Sequence, residues 1–189
     1  MVLRRSRLVR VLVAIALVAL AAVGLRLSET DENFEIVRGR VGEPVTLREG
    51  TVTAGQVRVG NRLSREGEVY AETPGLFLVV NVEVAATGAD ELPLYNARVL
   101  TGSRRYDALR GPNVGSVPPG FAATSDVVFE VDPAVLADIT MELAPGGIIT
   151  AYAEHARIHL GITAENAEAW RAAGRDQIIS TLEQTSRGI

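Results

Sequence analysis

The chain has 189 residues, 19 basic and 23 acidic, for a formal net charge of −4. Residues 1–26 hold five arginines and no acid, whereas residues 27–189 hold the other fourteen arginines and all 23 acids. There is no lysine, and residues 27–189 carry a net charge of −9, so nucleic-acid binding, which needs a concentrated basic face, is disfavoured. An apolar content of 47% excludes a disordered chain. The absence of cysteine removes disulfides, thiolate metal sites and a Cys nucleophile. A lysine-free chain rich in Ala, Arg and Val points to a GC-rich bacterial genome.

Leu8 to Leu27 reads LVRVLVAIALVALAAVGLRL. Its uninterrupted apolar part, Val11 to Leu25, falls short of the roughly 20 residues of a full span. Arg10 and Arg26 extend it, because long cationic side chains reach back to the headgroups. Arg4, Arg5, Arg7 and Arg10 set the N-terminus on the cytoplasmic side. The small-residue step Ala19-Leu20-Ala21 offers a cleavage site, but the run continues past it through Val23 and Leu25, which favours retention. Arg4-Arg5 fits a twin-arginine export signal poorly. The expectation is a plasma-membrane protein that contacts the membrane through residues 8–27, with its body exported, or secreted if the segment is cleaved.

The expected layout is a basic tip and signal anchor over 1–27, an acidic stalk over 28–43, a β-sandwich over 44–162 and a helical tail over 163–189. Within the stalk, Phe34–Arg38 can form one strand. Pro44–Arg48 and Thr51–Val59 read as strands, followed by GEVYAE at Gly67–Glu72. Leu76–Ala86 is the strongest, with Leu78, Val80, Val82 and Val84 on one face. Thr87–Asp90 turns the chain into Leu92–Leu100 and Arg104–Leu109. Gly111–Ala123 is the longest irregular stretch, and long loops at sandwich ends often bind ligands. Asp126–Val131 sends Val127, Phe129 and Val131 inward. Asp132 caps a single helical turn opened by Pro133. Ile139, Met141 and Leu143 alternate with Thr140 and Glu142, Gly146-Gly147 turns, and Ile148–Leu160 closes the β region. Short strands at this spacing predict a mainly β, immunoglobulin-like antiparallel sandwich. In the tail, Thr163 caps a helix carrying Ala167, Trp170 and Ala173, with Glu168 paired to Arg171. Ile178, Ile179 and Leu182 belong to a second helical piece.

The order GEPVTL–REGTVTAGQVRVG, PGLFLVVNVEVAATG and VPPGFAATSDVVFEVDPAV resembles a family of exported bacterial domains of unknown function. The resemblance rests on the Leu76–Val84 strand, the Pro119-Gly120 step and the Val127–Val131 strand, and covers roughly Val41 to Ala144. It implies an immunoglobulin-like, telokin-like sandwich, related in fold to small secreted bacterial antigens, behind an N-terminal signal or anchor. It supplies no catalytic residues, and Trp170 lies outside it.

The chemistry-bearing residues are few. His155, Arg157 and His159 share one face of a strand. Two imidazoles can begin a metal site, but Arg157 between them repels a cation and a tetrahedral site needs more ligands. An exposed sheet face is the plainer reading. No serine lies in a G-x-S-x-G context, and no two acids are spaced to face each other as glycoside hydrolysis requires. No phosphate-cradling glycine loop occurs. Arg104, Arg105 and Arg110 form the one basic cluster of the body, suited to phosphates and carboxylates; the alternative is a solvated strand edge. Trp170 either staples its helix to the sandwich or faces a partner. No catalytic residue, metal site or cofactor is assigned. The expected function is non-catalytic binding or scaffolding at the cell envelope, towards an envelope protein or an anionic envelope polymer. The rival reading is an envelope enzyme or metal-dependent accessory using His155 and His159.

Overall fold

The computed structural model describes residues 34–94, 96–109, 115–145 and 153–189. The anchor segment 8–27, Arg110 and the Gly146-Gly147 turn lie outside the described residues. Among those described, no helix is long and apolar enough to cross a membrane. Phe34–Ile189 forms a unit of its own.

The strands in chain order are β1 (Glu35–Arg40), β2 (Pro44–Leu47), β3 (Gly50–Arg65), β4 (Glu68–Ala86), β5 (Leu92–Leu94), β6 (Asn96–Thr101) and β7 (Arg104–Asp107). They continue as β8 (Gly115–Val117), β9 (Phe121–Val131), β10 (Thr140–Ala144), β11 (Glu154–His159), β12 (Ile178–Ser180) and β13 (Thr185–Gly188). A 3-10 turn spans Pro133–Val135, and helix α1 spans Ala167–Gly174. One sheet has the order β1-β11-β10-β6-β7 and the other β12-β3-β4-β9-β13, with β2 paired to β3. The short pair β5-β8 is a third sheet, which adds Leu92, Leu94 and Val117 to the core.

Alternation builds the sandwich. Leu78, Val80, Val82 and Val84 of β4 and Val127, Phe129 and Val131 of β9 point inward from the larger sheet. Val99 of β6, Met141 and Leu143 of β10, and Ala156 and Ile158 of β11 meet them from the smaller one. In β3 the pairing shifts between Ala54 and Val57. This bulge lets inward positions change from Val52 and Ala54 to Val57 and Val59 without losing the core. The two central residues of the β3–β4 hairpin, Glu66 and Gly67, both take positive φ, at 53° and 89°. That is the backbone a tight two-residue turn demands. Asp132 caps the 3-10 turn as expected, its side chain accepting from the Ala134 amide at 2.8 Å.

Four elements differ from the sequence expectation. First, Glu35–Arg40, assigned to the stalk, is an edge strand paired parallel to β11. Second, the helical piece expected at Ile178, Ile179 and Leu182 is instead β12, parallel to β3. Two β-branched residues beside an open strand edge favour pairing over helix. With these two parallel pairs, the sandwich is not purely antiparallel. Third, part of the long loop Gly111–Ala123 is ordered as β8 and the start of β9. Fourth, Asn166 rather than Thr163 stands at the N-cap of α1; the helix closes at Gly174, where a glycine break is expected and a Cβ would lie 2.8 Å from Leu76 Cδ2.

The C-terminal tail joins the larger sheet twice. After β12 adds to one edge, the chain passes Thr181–Gln184 and returns as β13, antiparallel to β9. The close approach of β12 requires Gly60, whose Cβ would lie 2.8 Å from the Gln177 carbonyl. Ile179 closes a second small core with Leu63, Phe77, Val79 and Val128. The passage is pinned by Asp126, which is almost fully buried. Its Oδ2 accepts from the Leu182 amide at 2.7 Å and pairs with Arg58 at 2.6 Å.

Candidate functional site

The outer face of the five-stranded sheet carries the densest side-chain chemistry. Because Met141 and Leu143 point into the core, Glu142 between them points outward. Its neighbours across the strands fall in one row: Arg38 opposite Arg157, Arg157 opposite Glu142, Glu142 opposite Arg98, and Arg98 opposite Asp107. Arg98 bonds Glu142 Oε1 and Arg157 Nε bonds Oε2. His155 Nδ1 lies 3.2 Å from Oε1. Phe34 stacks on the His155 ring at 3.8 Å between centroids. Glu142 is thereby sealed from water on a nominally outward face, covered by the stems of long cationic side chains.

Electrostatics follow from this packing. Burial pushes the Glu142 carboxyl up, but the hydrogen bond from Arg157 and the charge of Arg98 outweigh it and hold it below the ordinary carboxylate value. Burial pushes His155 below its ordinary value, and Glu142 only partly restores it. His155 is thus buried in a charged cluster, which corrects the expectation of an exposed face.

Next to this row lies a cleft of about 420 Å³. It is lined by Arg38, Leu100, Asp138, Thr140, Arg157 and His159. The Gly161 amide donates to His159 Nδ1 at 3.1 Å. The neutral ring then carries its proton on Nε2, leaving one donor for the cleft. Among the described residues Arg38 has no carboxylate partner.

The structure does not bring Arg104 and Arg105 together. Neighbours on β7, they point to opposite faces. Arg104 bonds Asp132 and lies 3.5 Å from the Tyr106 hydroxyl. The hydrogen bonds that Arg104 donates to Tyr106 and Asp132 raise its pKa, and Asp132 is lowered by the Ala134 amide and then by Arg104. Arg105 lies on the charged outer face, 3.9 Å from Asp107. Trp170 is half-buried against the main core. His155 and His159 do share a face, but His155 is committed to Glu142 while His159 opens to the cleft. Among the described residues no group of three His, Asp or Glu is arranged to hold a metal ion. Arg38, Arg98 and Glu142 went unselected in the sequence reading. Their alternation with apolar residues was visible, but the pairing register that gathers them was not.

No family model matches the chain, and no curated protein matches it. Solved structures similar to it include an uncharacterized β-sandwich protein from Clostridium difficile 630, at 11% identity and a TM-score of 0.45, covering 68% of this chain and 97% of that one. Another is the YjhA protein from Bacillus subtilis, at 12% identity and 0.46, covering 64% and 99%. Among the described residues the fold is mainly β, with sheets packed as a sandwich and one short α-helix near the C-terminus.

Proposed function

We propose that the chain is a non-catalytic binding module of the bacterial cell envelope, with an immunoglobulin-like, telokin-like sandwich held at the membrane by residues 8–27. It meets its ligand, an anionic envelope polymer, on the outer face of the five-stranded sheet. One observation carries the ligand reading. Among the described residues that face gathers Arg38, Arg40, Arg98, Arg105 and Arg157 against Glu142, Asp107 and the Asp138 of the cleft. It does so in a chain whose residues 27–189 hold fourteen arginines against 23 acids. Collecting positive charge on one face of an otherwise acidic body steers polyanions to that face and away from the rest. The membrane reading is supported by the arginine-flanked apolar run alone.

The test uses the full chain in detergent micelles, passed over an immobilised polyuronate and an immobilised phosphate-bearing polymer. Retention on at least one at physiological salt, lost in the Arg38→Gln/Arg40→Gln double variant and kept in Arg65→Gln/Arg175→Gln, is expected. No retention on either removes the binding reading. Resistance of the chain to alkaline carbonate extraction from membranes tests the anchor separately.

A further inference from the structure

We infer that the cleft beside the Glu142 row is a built site for one carboxylate or phosphate group, held by Arg38 and the Nε2–H of His159. This rests on the reading of the outer face as the ligand surface and names the atoms that would do the binding. Arg38 stands directly opposite Arg157 in the β1–β11 pairing. Like charges in that position repel. Arg157 is tied through Nε to Glu142, so it contributes charge to the wall while its position is fixed by the buried row. Arg38 has no such tie among the described residues. The Arg38 guanidinium matches the fork of carboxylate or phosphate oxygens.

His159 adds direction. Its Nδ1 is occupied by the Gly161 amide, which fixes the tautomer and leaves Nε2–H as the donor to an anion. Gly161 takes φ 76°, a turn that brings its amide back onto the ring. Thr140, opposite His159 on β10, also lines the cleft. Asp138 also lines the cleft. Its carboxylate disfavours a second anionic group within the cleft, so the cleft takes one anionic group of the ligand. A volume of about 420 Å³ suits a small group or one unit of a chain.

The chain has two histidines, so a histidine-selective 15N imidazole spectrum of the full chain in micelles reports both. Inorganic phosphate and acetate are titrated separately at constant ionic strength against chloride. At least one is expected to shift His159 Nε2 saturably while His155, sealed beneath Phe34, stays in place. Phosphate binding the tighter assigns a phosphate-bearing ligand, and acetate binding the tighter a carboxylate-bearing one. Arg38→Gln is expected to weaken the effect about tenfold or more, and Arg105→Gln, on the same face outside the cleft, to leave it unchanged. A His159 response identical in chloride, or one that survives Arg38→Gln, overturns the site. If the polymer columns still discriminate Arg38→Gln/Arg40→Gln in that case, only the cleft fails. If they do not, the ligand surface fails with it.

Discussion

His155 Nδ1 lies 3.2 Å from Glu142 Oε1, between two side chains sealed from water on adjacent strands. With the proton on Nδ1 donated to the carboxylate, the ring's Nε2 is a buried nitrogen with no hydrogen-bond partner. A second proton would place an N–H where nothing accepts it, with Arg98 and Arg157 nearby. The folded protein therefore holds His155 neutral and Glu142 ionised.

Both groups make stability fall on acidification. His155 is lowered below 6.5 in the fold, first by burial, so the unfolded chain binds its proton more readily. Its contribution is complete above pH 6.5 and is lost as pH falls through the lowered value. Glu142 is held below 4.5, so its contribution is complete above that pH and is lost at still lower pH. Denaturant midpoints measured from pH 7.5 to 4 are expected to fall, and His155→Gln is expected to flatten the part just below pH 6.5. A midpoint that rises on acidification through that range contradicts the arrangement.

Replacing Glu142 by Gln removes the one carboxylate that the described residues place within the buried row and leaves Arg98 and Arg157 facing each other across β10. Breaking such a pair costs about 3 kcal/mol or more. Equilibrium unfolding is expected to show that loss with only a partial dependence on salt, because Glu142 is sealed from water while its two arginines are partly exposed. A loss below about 1 kcal/mol, as at an exposed ion pair, would mean that water reaches Glu142.

Asp126 holds the C-terminal tail in the same manner on the other sheet. Asp126→Ala removes the acceptor for the Leu182 amide and the partner of Arg58. Hydrogen exchange at Thr181–Gln184 is expected to accelerate by about tenfold or more, as for loss of a hydrogen bond to a charged group. The central amides of β4 should keep their protection. Unchanged exchange at Leu182 would show that the tail is held by β12 and β13 without the carboxylate.

The core strands were readable because their side chains alternate: Leu78 to Val84, Val127 to Val131, and Met141 with Leu143 each declare an inward face. The Asp132-Pro133 turn was readable because cap and proline act locally. What escaped depends on partners distant in sequence. Ile178 and Ile179 fit a helix until the open edge of β3 is present to pair with them. Arg104 and Arg105 look like one cluster in the sequence, yet a strand sends them to opposite faces. The candidate site was legible only in pieces, as His159 and as Glu142 opposite Met141 and Leu143. Joining Arg38 to Arg157 needs the parallel register of β1 on β11, for which no local signal exists.

The claim that ligand recognition lies on the outer face of the five-stranded sheet is tested most directly by arginine footprinting. With no lysine in the chain, an arginine-selective dicarbonyl reagent reads its side-chain cations, apart from the histidines. The full chain is labelled with and without the retained polyanion and the sites are resolved by mass spectrometry. Polymer is expected to protect Arg38 and Arg40 several-fold while Arg65 and Arg175 label as before; equal protection at all four, or protection confined to Arg65 and Arg175, contradicts the account.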